Sequence, residues 1–293
     1  IVPTPLAIDR PRLADLLGLG EPAIHSLYSY LNGEVYVDAL SAASLTASSI
    51  SRMLLDLWWW ASDELSLVRF ADEWCGGSFI MPHKRNPSWM KACRFATINV
   101  KAKHNEAQEL WMHGTPMFLV ASLPIPGIMH EGFGTLRFAC ELLSGALKSA
   151  EIDVKRAREV TEEDYVQSSQ LVSLIVGNGD AGWRQAEHVV GALVKEAIDA
   201  KRPPQSVTYD RMLEIGREQL GKTLTVKREA FEAALDVKNI VASRGDCGPA
   251  PNAVRAAIKK QRERISELQS WTSSEQERVA KNWAEVERLA RAI

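Results

Sequence analysis

The chain has 293 residues, enough for one large or two ordinary domains with a sizeable core. Its 35 Lys and Arg against 37 Asp and Glu leave a formal net charge of -2, which gives no electrostatic reason to expect nucleic acid or an anionic membrane surface as partner. No apolar run approaches the length that spans a bilayer, and no basic region followed by an apolar stretch suggests secretion, so a cytoplasmic location is expected. Cys75, Cys93, Cys140 and Cys247 are far apart, with no CxxC and no His at ligand spacing. They read as reduced thiols, and neither a metal nor a cofactor is expected. The chain starts at Ile1, as a processed product or part of a longer polypeptide would.

Helical periodicity dominates. Tyr36, Leu40, Ala43, Ala47, Ile50, Leu54 and Leu57 step by four and three along one face of a long helix. Trp89, Cys93, Ala96, Val100, Ala107 and Trp111 repeat the pattern in a second helix, for which Asn86 is a candidate cap and Pro87 an N1 residue. A third helix is expected over 134–150, after the Pro-rich LPIPG at 123–127. From about Glu151 the helical pieces shorten and gain charge, with Gly177, Gly179, Pro203, Pro204 and Gly221 between them. After Gly248-Pro249 another helix begins near Asn252, and Ser274-Glu275-Gln276-Glu277 reads as a capping box opening a last one. No convincing strand is visible. The expected fold is all-α: a long-helix bundle over 1–150, a small helical domain over 151–255 and a C-terminal helical extension over 256–293.

Between the first two helices lies GGSFIMPHKRNP, 76–87. Lys84, Arg85 and the amide of Asn86 stand just ahead of a helix whose first N–H groups and dipole favour an anion, a carboxylate or phosphate. Gly76 and Gly77 permit the segment to fold over a ligand, and Ser78 at its tip is a candidate nucleophile or base. On composition alone an ordinary basic loop before a Pro-initiated helix accounts for the same residues.

The order of those residues is more specific. Gly77-Ser78-Phe79-Ile80-Met81-Pro82-His83-Lys84-Arg85-Asn86-Pro87 resembles the G-S-S-x-M-P-x-K-x-N-P signature of the fumarase/aspartase superfamily. Thr4-Pro5-Leu6-Ala7-Ile8-Asp9-Arg10 with Leu13 to Gly18 is similar to the argininosuccinate lyase branch, as is Ser243 to Pro251, less closely. The resemblance runs from about residue 3 to 260. It implies anti β-elimination of fumarate from an N-succinyl compound, with Ser78 as the catalytic base. Lys84 and Asn86 are then the carboxylate ligands, with Gly77 and Met81 beside the substrate. His83 and Arg85 have no role the resemblance fixes.

Three departures from the argininosuccinate lyase pattern stand out. Phe79 replaces the second serine of the signature. His83-Lys84-Arg85-Asn86 looks more like adenylosuccinate lyase and carboxymuconate cycloisomerase. The polar stretch after Gly114-Thr115-Pro116 is replaced by MFLVASLPIPGIMHEGF, 117–133, where a guanidinium would lack partners, so the leaving group is expected to be an amine other than arginine. The family's N-terminal half, with its catalytic histidine, has no counterpart: His25, His104, His113, His130 and His188 all lack the context. A partner polypeptide supplying the acid and the remaining bundle helices is therefore expected, in a tetramer-type hetero-oligomer. Alternatives are an adenylosuccinate-lyase-like reaction or a non-catalytic homologue of the delta-crystallin kind. Arg244-Gly245-Asp246 matches an adhesion tripeptide by coincidence.

Overall fold

The computed structural model describes residues 5–113, 123–245 and 248–292, apart from the side chains of Tyr28, Tyr30 and Leu31. It is all-α, with twelve helices among the described residues: α1 (Arg10–Leu17), α2 (Ser26–Leu31), α3 (Glu34–Trp60), α4 (Trp89–Met112), α5 (Ile125–Lys148), α6 (Val154–Glu163), α7 (Ser168–Gly177), α8 (Trp183–Asp199), α9 (Tyr209–Leu220), α10 (Arg228–Leu235), α11 (Val237–Ala242) and α12 (Pro251–Ala290). No helix is long and apolar enough to cross a membrane among the described residues. The chain divides into two compact units, 1–154 with 276–293 and 155–275.

In the first unit α3, α4 and α5 pack on one another in all three pairings. The stripe read from sequence is the buried one: Leu40, Ala43, Ala47, Ile50, Leu54 and Leu57 line α3, and Met90, Cys93, Ala96 and Val100 line α4. Small residues set the spacing. A β-carbon on Gly132 would stand 2.7 Å from Leu40 Cδ2, so α5 meets α3 closely there. Trp111, expected on the same face, is exposed.

Four expectations are corrected. Two short strands exist, β1 (Val68–Arg69) and β2 (Glu151–Ile152), paired antiparallel in register Val68 to Ile152. Two residues each are too few to show a period of two. Asn86 does not cap the second helix: its N–H and C=O both pair with Gly76, at 3.0 and 2.7 Å, which holds it extended and delays α4 to Trp89, with Ser88 at the N-cap. The third helix starts at Ile125, well before Gly134, because Pro126 lies in the first turn where its missing N–H is no loss. Finally, Ser274 to Glu277 opens no helix; it lies inside the unbroken 40-residue α12.

In the second unit α7, α8, α9 and α10 enclose a core centred on Leu171, Ile175, Val189, Leu193, Met212 and Phe231. Asp180 ties it together. Buried, it accepts from the N–H and hydroxyl of Thr225, each at 2.8 Å, from the Val226 N–H at 3.2 Å and from Asn178 Nδ2 at 3.1 Å. Burial, the largest influence, pushes this carboxyl up, but the hydrogen bonds together outweigh it and hold it below the usual range.

Candidate active site

The loop 76–87 is built from its flanks inward. Val68 and Arg69 pair with the strand after α5, and Asp153 N–H donates to Leu67 O at 3.0 Å. Phe70 then turns inward, edge-on to Trp89 with ring centroids 5.3 Å apart. A 3₁₀ turn, Asp72–Trp74, leads into Gly76. The Trp74 ring lies where a β-carbon on Gly145 would stand, 2.5 Å from Cη2, so α5 can carry only glycine at that contact without displacing it. On the outgoing side Trp89 and Met90 are buried and anchor α4. The two flanks meet in the antiparallel bridge between Gly76 and Asn86, which closes the loop at its base.

Within the loop Ser78 Oγ accepts from the N–H groups of Ile80 and Met81 at 3.3 and 3.2 Å, and Lys84 N–H donates to Met81 O at 3.0 Å. The tip is thus a compact turn. Gly77, Lys84 and His83 are exposed, Met81 is partly covered, and Asn86 is half-buried at the base. Phe79, standing where the signature has its second serine, is wholly exposed, and Ile80 is 90% exposed. Gly76 and Gly77 have no positive φ among the described residues. At Gly76 the constraint is proximity, because a β-carbon there would meet Ser88 Oγ tightly, at 3.1 Å.

Among the described residues, Arg85 is a loop cation with partners on the incoming limb. Its Nε pairs with Asp72, and its Nη2 donates to Phe70 O at 2.5 Å. The hydrogen bond to Asp72 is the chief cause of its raised pKa, and the guanidinium bridges the outgoing and incoming limbs. Sequence reasoning left Arg85 without a role and missed Asp72 altogether. Their contact spans thirteen positions through a 3₁₀ turn, and no local pattern encodes it.

Beside this strut a cleft of about 370 Å³ has Asp63, Arg69, Cys75, His83, Arg85 and Asp153 among its lining residues. It gathers His83 and Arg85 but not Ser78, Lys84 or Asn86. At the start of α4, Met90 N–H donates to Pro87 O and Lys91 N–H to Ser88 O, both at 3.1 Å, so these amides are taken up within the chain. Among the described residues no cluster of His, Cys, Asp and Glu could hold a metal ion. Cys93 is buried, donates to Ala139 O at 3.4 Å, and is pushed up to about 11 by burial, which leaves it an inert core thiol.

A family model described as "Lyase" matches residues 1–101, which include the whole loop. Argininosuccinate lyase of Methanoculleus marisnigri is 28% identical over 270 residues, 92% of this chain and 54% of that protein. That of Methanospirillum hungatei is 28% identical over 264 residues, 88% of this chain and 52% of that protein. The matches support membership of the fumarase/aspartase superfamily.

The similarity to argininosuccinate lyase is partial and divergent within that superfamily, and the chain spans about half the length of the curated relatives it matches. Its fold is that of EDDS lyase, solved in complex with formate, at TM-score 0.84 and 20% identity over 95% of this chain and 56% of that one. A class II fumarase from Schistosoma mansoni aligns at TM-score 0.57 and 15% identity, covering 74% of this chain and 42% of that one. The passage expected to contact the leaving group, 117–133, lies outside the described residues at 117–122. Its remainder opens α5, where Ile125 and Ile128 are buried against α3 and α4, so part of its apolar character is core packing.

Proposed function

We propose that this chain is the C-terminal half of a fumarate-releasing C–N lyase acting on an N-succinyl compound other than argininosuccinate. Ser78 takes the proton from the carbon beside a carboxylate, and the charge that develops there spreads into that carboxylate. Lys84 and Asn86 stabilise it, the C–N bond breaks, and the departing amine leaves with a proton from an acid in the N-terminal half. Gly77 and Met81 border the succinyl group, and His83 remains a loop residue facing the cleft. The single observation that carries this reading is the signature Gly77 to Pro87 held as one loop by the Gly76–Asn86 bridge.

A partner carrying the N-terminal half is part of the proposal. It is supported by the half-length match to the relatives and by the uncovered apolar side chains of the bundle: Leu45 on α3 is 69% exposed and Phe95 on α4 is 72% exposed. Phe79 and Ile80 at the loop tip are uncovered as well. The test is fumarate release from a panel of N-succinyl amines by the chain purified with whatever polypeptide supplies that half. Fumarate from at least one N-succinyl amine, and little from argininosuccinate, is expected; no fumarate from any of them contradicts the reading. The order His83-Lys84-Arg85-Asn86 favours an adenylosuccinate-type substrate as the second reading, which the same panel distinguishes. Complete inactivity would point instead to a delta-crystallin-like role.

A further inference from the structure

The helix α12 has no buried residue along its 40 positions, although it is not polar all round. Ile258, Ile265, Thr272, Val279 and Val286 recur every seven residues, and the positions three after that series are Val254, Gln261, Leu268, Glu275, Asn282 and Leu289, so the second series is mainly apolar only up to Leu268. A strict seven-residue repeat keeps one apolar seam facing one partner helix, which a straight 3.6-residue helix does not need. The last part of the seam is already in use within the first unit. Asn282, Val286 and Leu289 are partly covered, a β-carbon on Gly18 would stand 2.2 Å from Asn282 Nδ2, and Arg278 Nη1 donates to Gly18 O at 2.6 Å. There α1 lies on the helix. The earlier part, from Val254 to Thr272, has no such cover: Ile258, Ile265 and Leu268 are about half exposed and Trp271 more. A groove of about 510 Å³ runs along it, lined by Val254, Ile258, Gln261 and Ile265.

We propose that this stretch pairs, parallel and in register, with the same stretch of a second copy of the chain. β-Branched Ile258 and Ile265 at the first seam position, with Leu268 at the second, suit two-stranded parallel pairing, and Gln261 puts one polar layer within the seam. Self-pairing meets no charge conflict in the free stretch. All seam residues from Val254 to Thr272 are neutral, and the flanking cross-pairs would be Ala257 with Arg262, Arg264 with Gln269 and Trp271 with Gln276. The acidic Glu263 and Glu267 lie off the seam, paired along their own helix with Lys259 and Arg264. The stretch is about 28 Å long at 1.5 Å per residue and is already helical, so association need not nucleate it.

Sedimentation of the full 293-residue chain, with its N-terminal partner if one co-purifies, measures the assembly. The double variant Ile258→Asp with Ile265→Asp is expected to halve the mass while keeping the helical circular dichroism. A second readout separates this seam from the bundle faces. Ile265→Cys should give an oxidised cross-linked dimer, whereas Ser270→Cys, on the far side of α12, should not. A mass unchanged by the aspartates, a parent with one copy per particle, or no cross-link through Cys at position 265 would each overturn the proposal.

Discussion

Ser78 and Arg85 show how differently two residues of one loop behave. Arg85 is spent on holding the loop: Asp72 and the Phe70 carbonyl occupy its guanidinium. Arg85→Met is therefore expected to lower kcat about tenfold or more by loosening the loop, while the thermal midpoint of the chain moves little; an unchanged kcat contradicts the strut. Mispositioning of catalytic groups by about an ångström has effects of that size. Gly145→Ala acts on the same loop from α5, because the new methyl would displace the Trp74 ring that precedes it. A loss of about 1–3 kcal/mol, read by denaturant unfolding, is the expected outcome of such overpacking. At Asp180 the sign of the pH effect follows from the depressed carboxyl. Its stabilising contribution is complete above the unfolded carboxylate range near about pH 4 and fades as pH falls through the lower folded value. Asp180→Ala should thus destabilise the unit 155–275 by about 2 kcal/mol at neutral pH, since it strands the buried Val226 N–H and removes the partner of Thr225 and Asn178. The gap from the parent should narrow in acid, and a gap that widens there refutes the assignment.

At the scale of elements, the long faces of α3 and α4 were legible because burial needs only a periodic apolar stripe. Leu40 is fully buried where that stripe meets α5, so Leu40→Ala should cost about 3 kcal/mol in equilibrium unfolding. What escaped reading is pairing across sequence. Asn86 looked like a helix cap because its amide side chain suits one, yet its backbone is taken by Gly76. Such a bridge leaves no signal in either residue alone. The two prolines at 124 and 126 resembled a break, although a first turn accepts them. Ser274 to Glu277 has the residues of a capping box in the middle of a helix, where flanking helical sequence overrides them. In the site, the residue types and their order were enough to choose Ser78, Lys84 and Asn86 as candidates. The Arg85–Asp72 strut and the cleft with Arg69 and His83 depend on how the limbs fold back, which no spacing reveals.

The whole molecule is two helical units whose first unit shows a bundle with uncovered apolar faces and whose site loop presents Phe79 outward. Both features fit a chain that works with the half its relatives possess and it does not span. The central claim is that Ser78 is the base of a fumarate-forming elimination. Its most direct test is the rate of fumarate formation by the native particle carrying Ser78→Ala, followed by the absorbance of the new conjugated double bond. A fall of about a thousandfold or more with assembly mass unchanged is predicted, the scale at which general-base catalysis contributes. Turnover within a few-fold of the parent would contradict it.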